Sequence, residues 1–177
     1  MQEDLDEILF DARQIAARVD ELGARITDDL RRDALAGPDA SMTLVPVLTG
    51  SLVFVADLIR RLPWRMRLRM VSVSSYPGPA TESRGVALGA GFGDLPEDLR
   101  GRHLLVVDDI LDSGRTLAAV TAELARRQPA TLRTCVLLRK VGRQDAQARA
   151  DYVGCEVPHR YEVRSGLDHD RHYRNLP

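Results

Sequence analysis

Residues 104–117 read "LLVVDDILDSGRTL": four apolar residues run into Asp108 and Asp109, and a third acid, Asp112, opens the small-residue turn Ser113-Gly114-Arg115-Thr116. With His103 in front, the apolar run suits a central parallel strand, because strands covered on both faces are continuously apolar rather than alternating. A helix follows from Gly114 to about Arg127, and then the strand "TLRTCVLLRK" at 131–140. Working backwards, "TLVPVL" at 43–48 reads as a buried strand whose Pro46 requires an edge, a bulge or an unusual register. It passes through the turn Thr49-Gly50-Ser51 into the apolar helix "LVFVADLIRRL". Strand, helix, strand, helix, strand predicts a doubly wound α/β fold with a mainly parallel sheet flanked by helices.

The remaining segments fill out that frame. Asp11 stands three residues before Gln14, which is a capping-box start, and Ile15, Val19, Leu22, Ile26 and Leu30 recur at helical spacing. "RMRLRMVSVSS" alternates at Met66, Leu68 and Met70 as one half-buried strand would. Residues 76–94 hold five glycines and two prolines, too many for a packed element, with a hairpin around "GVALG" and mobility elsewhere. Short strands are expected near Tyr152 and Tyr161, followed by a polar tail. No internal repeat or second domain is visible, so residues 1–177 read as one domain.

Composition narrows the class. A chain of 177 residues that is 44% apolar and 29% charged has the make-up of a soluble globule with a sizeable core. There is no apolar run of membrane-spanning length, and the opening "MQEDLDEILF" is acidic where a secretory leader would be basic, so a cytoplasmic protein without membrane contact is expected. Cys135 and Cys155 show no CxxC spacing and read as reduced, buried thiols. The net charge of −1 argues against a nucleic-acid partner. Residues 1–30 carry nine acids against three basic residues, whereas 126–177 carry eleven basic residues against six acids, so the last third is suited to an anion site. Of 25 basic residues only Lys140 is lysine, a hint that a compact ammonium is wanted there rather than a planar guanidinium.

In open α/β sheets ligands sit beyond the carboxyl ends of strands, and 108–116 occupies such an end. The turn from Asp112 to Thr116 leads into a helix N-terminus, where unpaired N–H groups converge, and Ser113 and Thr116 add hydroxyls; together they make a monophosphate cradle. Ionised acids are too costly to bury for packing alone, so Asp108 and Asp109 suit the vicinal hydroxyls of a sugar or a magnesium ion shared with them. A P-loop ATPase is excluded by the lack of GxxxxGK[ST], and "GAGFGD" does not open a helix as a dinucleotide fingerprint would. An acidic helix cap with chance neighbours is the plain structural alternative.

"VVDDILDSGRTL" resembles the phosphoribosyl pyrophosphate signature of type I phosphoribosyltransferases. "LTGSLVFVADLIRRL", "VSSYPGPATESRGV", "DYVGCEVPHRYEV" and "GLDHDRHYRNLP" resemble one branch, the hypoxanthine-guanine phosphoribosyltransferases. The resemblance implies magnesium-dependent transfer of phosphoribosyl to a 6-oxopurine, giving a nucleoside monophosphate and pyrophosphate. It also implies a small hood from the terminal segments and a homodimer or homotetramer, with residues 49–65 at the interface. Residue by residue, it implies Asp112 as the general base at the purine N7 and Asp108 and Asp109 on the ribose hydroxyls and magnesium. Asp112, Ser113, Gly114, Arg115 and Thr116 would form the phosphate loop. Lys140 would take the purine 6-oxo group, Tyr161 would stack on the base, and the backbone of Glu162 would meet its far edge. Asp168 would be a magnesium-water ligand, Arg174 would bind pyrophosphate, and Ser75 and Tyr76 would belong to a mobile loop. The turn Leu48-Thr49-Gly50 would contact pyrophosphate, although the family usually reads Leu-Lys-Gly there, often with a cis peptide. Asp108 stands where Glu is usual, Glu162 where an apolar residue is usual, and Arg164-Ser165 replaces Gly-Tyr. His169 and His172 lack a third soft ligand at zinc spacing. A sugar-donor-sensing regulator that binds nucleic acid is the rival on the same fold; it needs a basic surface and no purine pocket, which Lys140, Tyr161 and the C-terminal segment oppose.

Overall fold

A computed structural model of the chain describes residues 9–32, 41–75, 86–142 and 149–158. The first helix, α1 (Ala12–Arg32), begins with the reciprocal cap that its sequence predicts: Gln14 N–H donates to Asp11 Oδ1 and Asp11 N–H donates to Gln14 Oε1, each at 2.8 Å. Val19, Leu22, Ile26 and Leu30 are buried along one face, and Ile15 packs at its margin.

The sheet contains β1 (Ser41–Leu48), β2 (Arg65–Leu68), β3 (Val71–Ser75), β4 (Val86–Leu88), β5 (His103–Leu111), β6 (Thr131–Lys140) and β7 (Tyr152–Val157). Its order is β4-β3-β1-β5-β6-β7, with β2 also beside β1, and every pair is parallel except β3 with β4. One face is covered by α1 and α2 (Leu52–Leu58), the other by α3 (Arg115–Arg126) and by Phe92, Leu95 and Leu99. This is the mainly parallel, doubly wound sheet that the apolar runs predict. From the centre the chain builds outwards in both directions, so β1 and β5 flank the point where strand order reverses. Ligands bind at such a point, since connections diverge there and leave a crevice.

Pro46 sits inside β1, opposite Val107 of β5. On its other side β1 pairs with β2 through residues 41–44 and with β3 through 47–48, so Pro46 falls in the gap between two partners. The missing N–H therefore interrupts no ladder. The same change of partner splits the stretch expected to be one strand: Arg69 N–H donates to the Leu44 carbonyl, and β3 starts at Val71. Leu68 and Met70 are consequently exposed, at 39% and 46%, against the half-buried alternation expected of them.

The glycine-rich region also packs more than its composition suggests. Beyond the β3–β4 hairpin, Phe92 is buried in the core, so the stretch expected to be mobile as far as residue 94 is anchored at its end. Gly91 makes this possible: its φ is +93°, and a Cβ there would lie 2.0 Å from the Met70 carbonyl oxygen. Residues 76–85 and the expected strand at Tyr161 lie outside the described residues.

Cys135 and Cys155 form no disulfide and are buried, as read from their spacing, and burial pushes the Cys135 thiol far above its ordinary range. Tyr152, at the start of β7, donates to Asp29 of α1 at 3.1 Å and accepts from Arg133 at 2.6 Å; burial pushes its phenol up to about 12. Leu105, in the middle of β5, is 1% exposed. We predict that Leu105→Ala costs about 2–5 kcal/mol, read as a lower urea midpoint at unchanged slope.

Candidate active site

Two turns build the site, and each grows from the carboxyl end of a central strand. After β1 the chain makes the turn Thr49-Gly50-Ser51, in which the Leu48–Thr49 peptide is cis. The buried Ser51 hydroxyl donates to the Val47 carbonyl and ties the turn back to its own strand. After β5 the chain passes through Asp112 and Ser113 to Gly114, whose φ of +85° suits glycine, and enters α3 at Arg115. The first N–H groups of α3 thus face the strand ends with no intrahelical acceptor. The Ser113 hydroxyl lies 3.5 Å from the Arg115 N–H, and Thr116 stands in the first turn.

Between these turns lies a cavity of about 290 Å³. Gly50, Asp108, Asp109, Asp112, Ser113, Gly114 and Thr116 line it, all of them expected site residues. Val47, Leu48, Val73, Ile110, Leu111 and Leu117 complete the wall. Of these apolar residues the sequence singled out only Leu48, in the turn expected to contact pyrophosphate. Ile110, Leu111 and Leu117 lie inside the acidic motif; Val73, on a strand remote in sequence, carried no signal of its own.

The two adjacent acids are placed differently. Asp108 is almost wholly buried, and desolvation first, then the neighbouring Asp109 charge, holds its carboxyl well above the usual range. The carboxylate of Asp109 lies against Gly50: a Cβ on that glycine would stand 1.9 Å from Asp109 Oδ2. Gly50 is therefore required because a carboxylate from the next strand passes where a side chain would be. Asp109 Oδ1 accepts from the Ile110 N–H and Asp108 Oδ1 from the Asp109 N–H, each at 3.0 Å.

Lys140 ends β6, and strand register brings it beside Asp112, since Leu111 pairs with Arg139. Lys140 Nζ lies 3.9 Å from Asp112 Oδ2, with the lysine side chain 12% exposed. An ammonium that can only donate thus stands next to a carboxylate that can only accept. Arg115 is exposed at the start of α3. Ser75 is the last residue of β3, and Thr49 follows the cis bond. Tyr76, Tyr161, Glu162, Asp168, Arg174, His169 and His172 lie outside the described residues. The structure therefore brings together the strand-end acids, the phosphate-type turn, Gly50 and Lys140.

For magnesium, Asp108 and Asp109 offer the hard oxygen donors it prefers, on the wall of a polar cavity large enough for its waters. Among the described residues no cluster of three or more His, Cys, Asp or Glu could hold a metal by itself. The acids fit an ion that keeps most of its water and shares the site with a substrate.

Comparison with known proteins bears on this arrangement. Residues 5–169 match the family described as phosphoribosyl transferase domain. The hypoxanthine-guanine phosphoribosyltransferase of Mycobacterium avium is 41% identical over 173 residues, covering 98% of this chain and 83% of that protein. The hypoxanthine phosphoribosyltransferase of Escherichia coli K12 is 36% identical over 171 residues, covering 97% and 92%. The solved hypoxanthine phosphoribosyl transferase of Trypanosoma cruzi superimposes with a TM-score of 0.86 at 35% identity, over 97% of this chain and 88% of that one. These relatives are transferases, which leaves the regulator reading without support. The chain belongs to the phosphoribosyltransferase family, within its hypoxanthine-guanine branch.

Proposed function

We propose that the chain transfers the 5-phosphoribosyl group of phosphoribosyl pyrophosphate to hypoxanthine or guanine, as a purine-salvage enzyme of the cytoplasm working as a homodimer or homotetramer. The observation that carries this reading is the pair Lys140 and Asp112, 3.9 Å apart beside the phosphate-type turn. A 6-oxopurine protonated at N7 has an acceptor, O6, next to a donor, N7–H, and the pair is its complement. Lys140 donates to O6 and Asp112 accepts from N7–H. Adenine turns a 6-amino donor toward an ammonium that cannot accept, so it is rejected.

The rest of the cavity serves the sugar donor. The turn from Asp112 to Thr116, with Arg115 at its rim, holds the 5-phosphate on backbone N–H groups and hydroxyls. Asp108 and Asp109 hold the ribose hydroxyls, and the Thr49-Gly50 turn with Arg174 receives the pyrophosphate. Magnesium, when bound through Asp108, Asp109 and Asp168, supplies positive charge to the departing pyrophosphate. Ser75, at the end of β3, leads into Tyr76 and the loop that closes over the centre and excludes water. Tyr161 stacks on the base and the Glu162 backbone meets its far edge. As the N9–C1′ bond forms, the C1′–oxygen bond breaks with its electron pair leaving on pyrophosphate. Asp112 takes the N7 proton, and its negative charge favours the electron-poor sugar carbon.

The direct test is an assay of purified protein with magnesium, phosphoribosyl pyrophosphate and each of hypoxanthine, guanine, xanthine and adenine. Nucleoside monophosphate is expected from hypoxanthine or guanine, and no product from any 6-oxopurine would overturn the reading. Asp112→Asn is expected to lower kcat by about 10²–10⁴, while the backbone cradle keeps donor affinity, measured by calorimetry, within a fewfold. Lys140→Gln removes a charged hydrogen bond of about 1.5–3 kcal/mol; the KM for 6-oxopurine should rise about tenfold or more, with weaker discrimination against adenine.

A further inference from the structure

Lys140 stands at the last position of the β6–β7 ladder. Its register partner is Val157, and the Val141 N–H donates to the Val157 carbonyl at 2.9 Å. Gly142 follows at a φ of +84°, and among the described residues Lys140–Val157 is the last register pair of this ladder. One step inward, Arg139 of β6 pairs with Glu156 of β7, and the guanidinium of Arg139 donates to Glu156 Oε1. Arg139 is at the same time the register partner of Leu111, the residue before Asp112. The ion pair therefore spans the two strands at the level from which both Lys140 and Asp112 depart.

We propose that Arg139 and Glu156 are positioning residues for purine recognition: their cross-strand ion pair fixes the end of β6 and so sets the reach of the Lys140 ammonium toward the 6-oxo group. This rests on the reading of Lys140 given above. A long, flexible lysine gains affinity from a fixed point of departure, because less freedom is lost when the base binds. Arg139 and Glu156 are 39% and 55% exposed, so the pair is a solvated one of up to about 1 kcal/mol. That corresponds to a change of up to about fivefold in purine KM.

The test uses Arg139→Gln, Glu156→Gln and the exchanged pair Arg139→Glu with Glu156→Arg. The two single variants change local charge in opposite directions, so a purely electrostatic influence on Lys140 would move purine KM in opposite directions. Loss of a shared anchor raises it in both. The expected result is a two- to fivefold rise in KM for hypoxanthine or guanine in each single variant, with kcat, donor KM and Tm little changed, and recovery in the exchanged pair. As Lys140 is the only lysine, protein grown with [ε-13C]lysine gives one lysine side-chain resonance. That resonance should shift or broaden in both single variants without any substrate present and return in the exchanged pair. Unchanged KM and resonance, opposite shifts of KM, or no recovery on exchange would overturn the proposal. A wild-type protein inactive with every 6-oxopurine would overturn the functional reading itself, while the resonance would still report whether the pair anchors Lys140.

Discussion

The contact on which the site depends is the approach of Asp109 to Gly50. Parallel pairing of β1 with β5 puts the two strand ends side by side, and the β5 carboxylate lies where a β1-side Cβ would be. Gly50 is thus fixed by a partner some sixty residues later in the chain, and the cavity has a wall only because both turns meet. Strand order reverses at this junction, so the diverging helices leave the space open instead of filling it. Cores on both faces of the sheet hold the two strands rigid beneath it.

Much of this arrangement was legible in the sequence, and the reason is local. Continuous apolar runs announced the central strands, the Asp11–Gln14 cap announced α1, and the acid-then-small-residue turn announced the strand-end site. Each signal sits within a dozen residues, and no distant contact was needed to read it. Lys140 was visible for a different reason: it is the one lysine in an arginine-rich chain.

What was not legible depended on pairing between remote segments. The alternation of "RMRLRMVSVSS" predicted one strand, but β1 changes partner around Pro46 and breaks it in two. Local periodicity cannot report that a neighbour runs out. The glycines after residue 88 looked like mobility, yet Gly91 serves a close approach to the Met70 carbonyl. Val73 enters the cavity wall only through sheet order. The Lys140–Asp112 distance likewise follows from the β5–β6 register and not from either motif alone.

The burial of Asp108 beside Asp109 also links ligand supply to the lifetime of the folded chain. A carboxyl desolvated and facing a like charge destabilises the fold at neutral pH, and a ligand that binds only the folded form offsets this by mass action. Any ligand that fills this cavity only in the folded chain is therefore a stabiliser of the protein as well. With the cavity empty, that cost at Asp108 is not offset, so occupancy of the cavity and persistence of the fold are coupled.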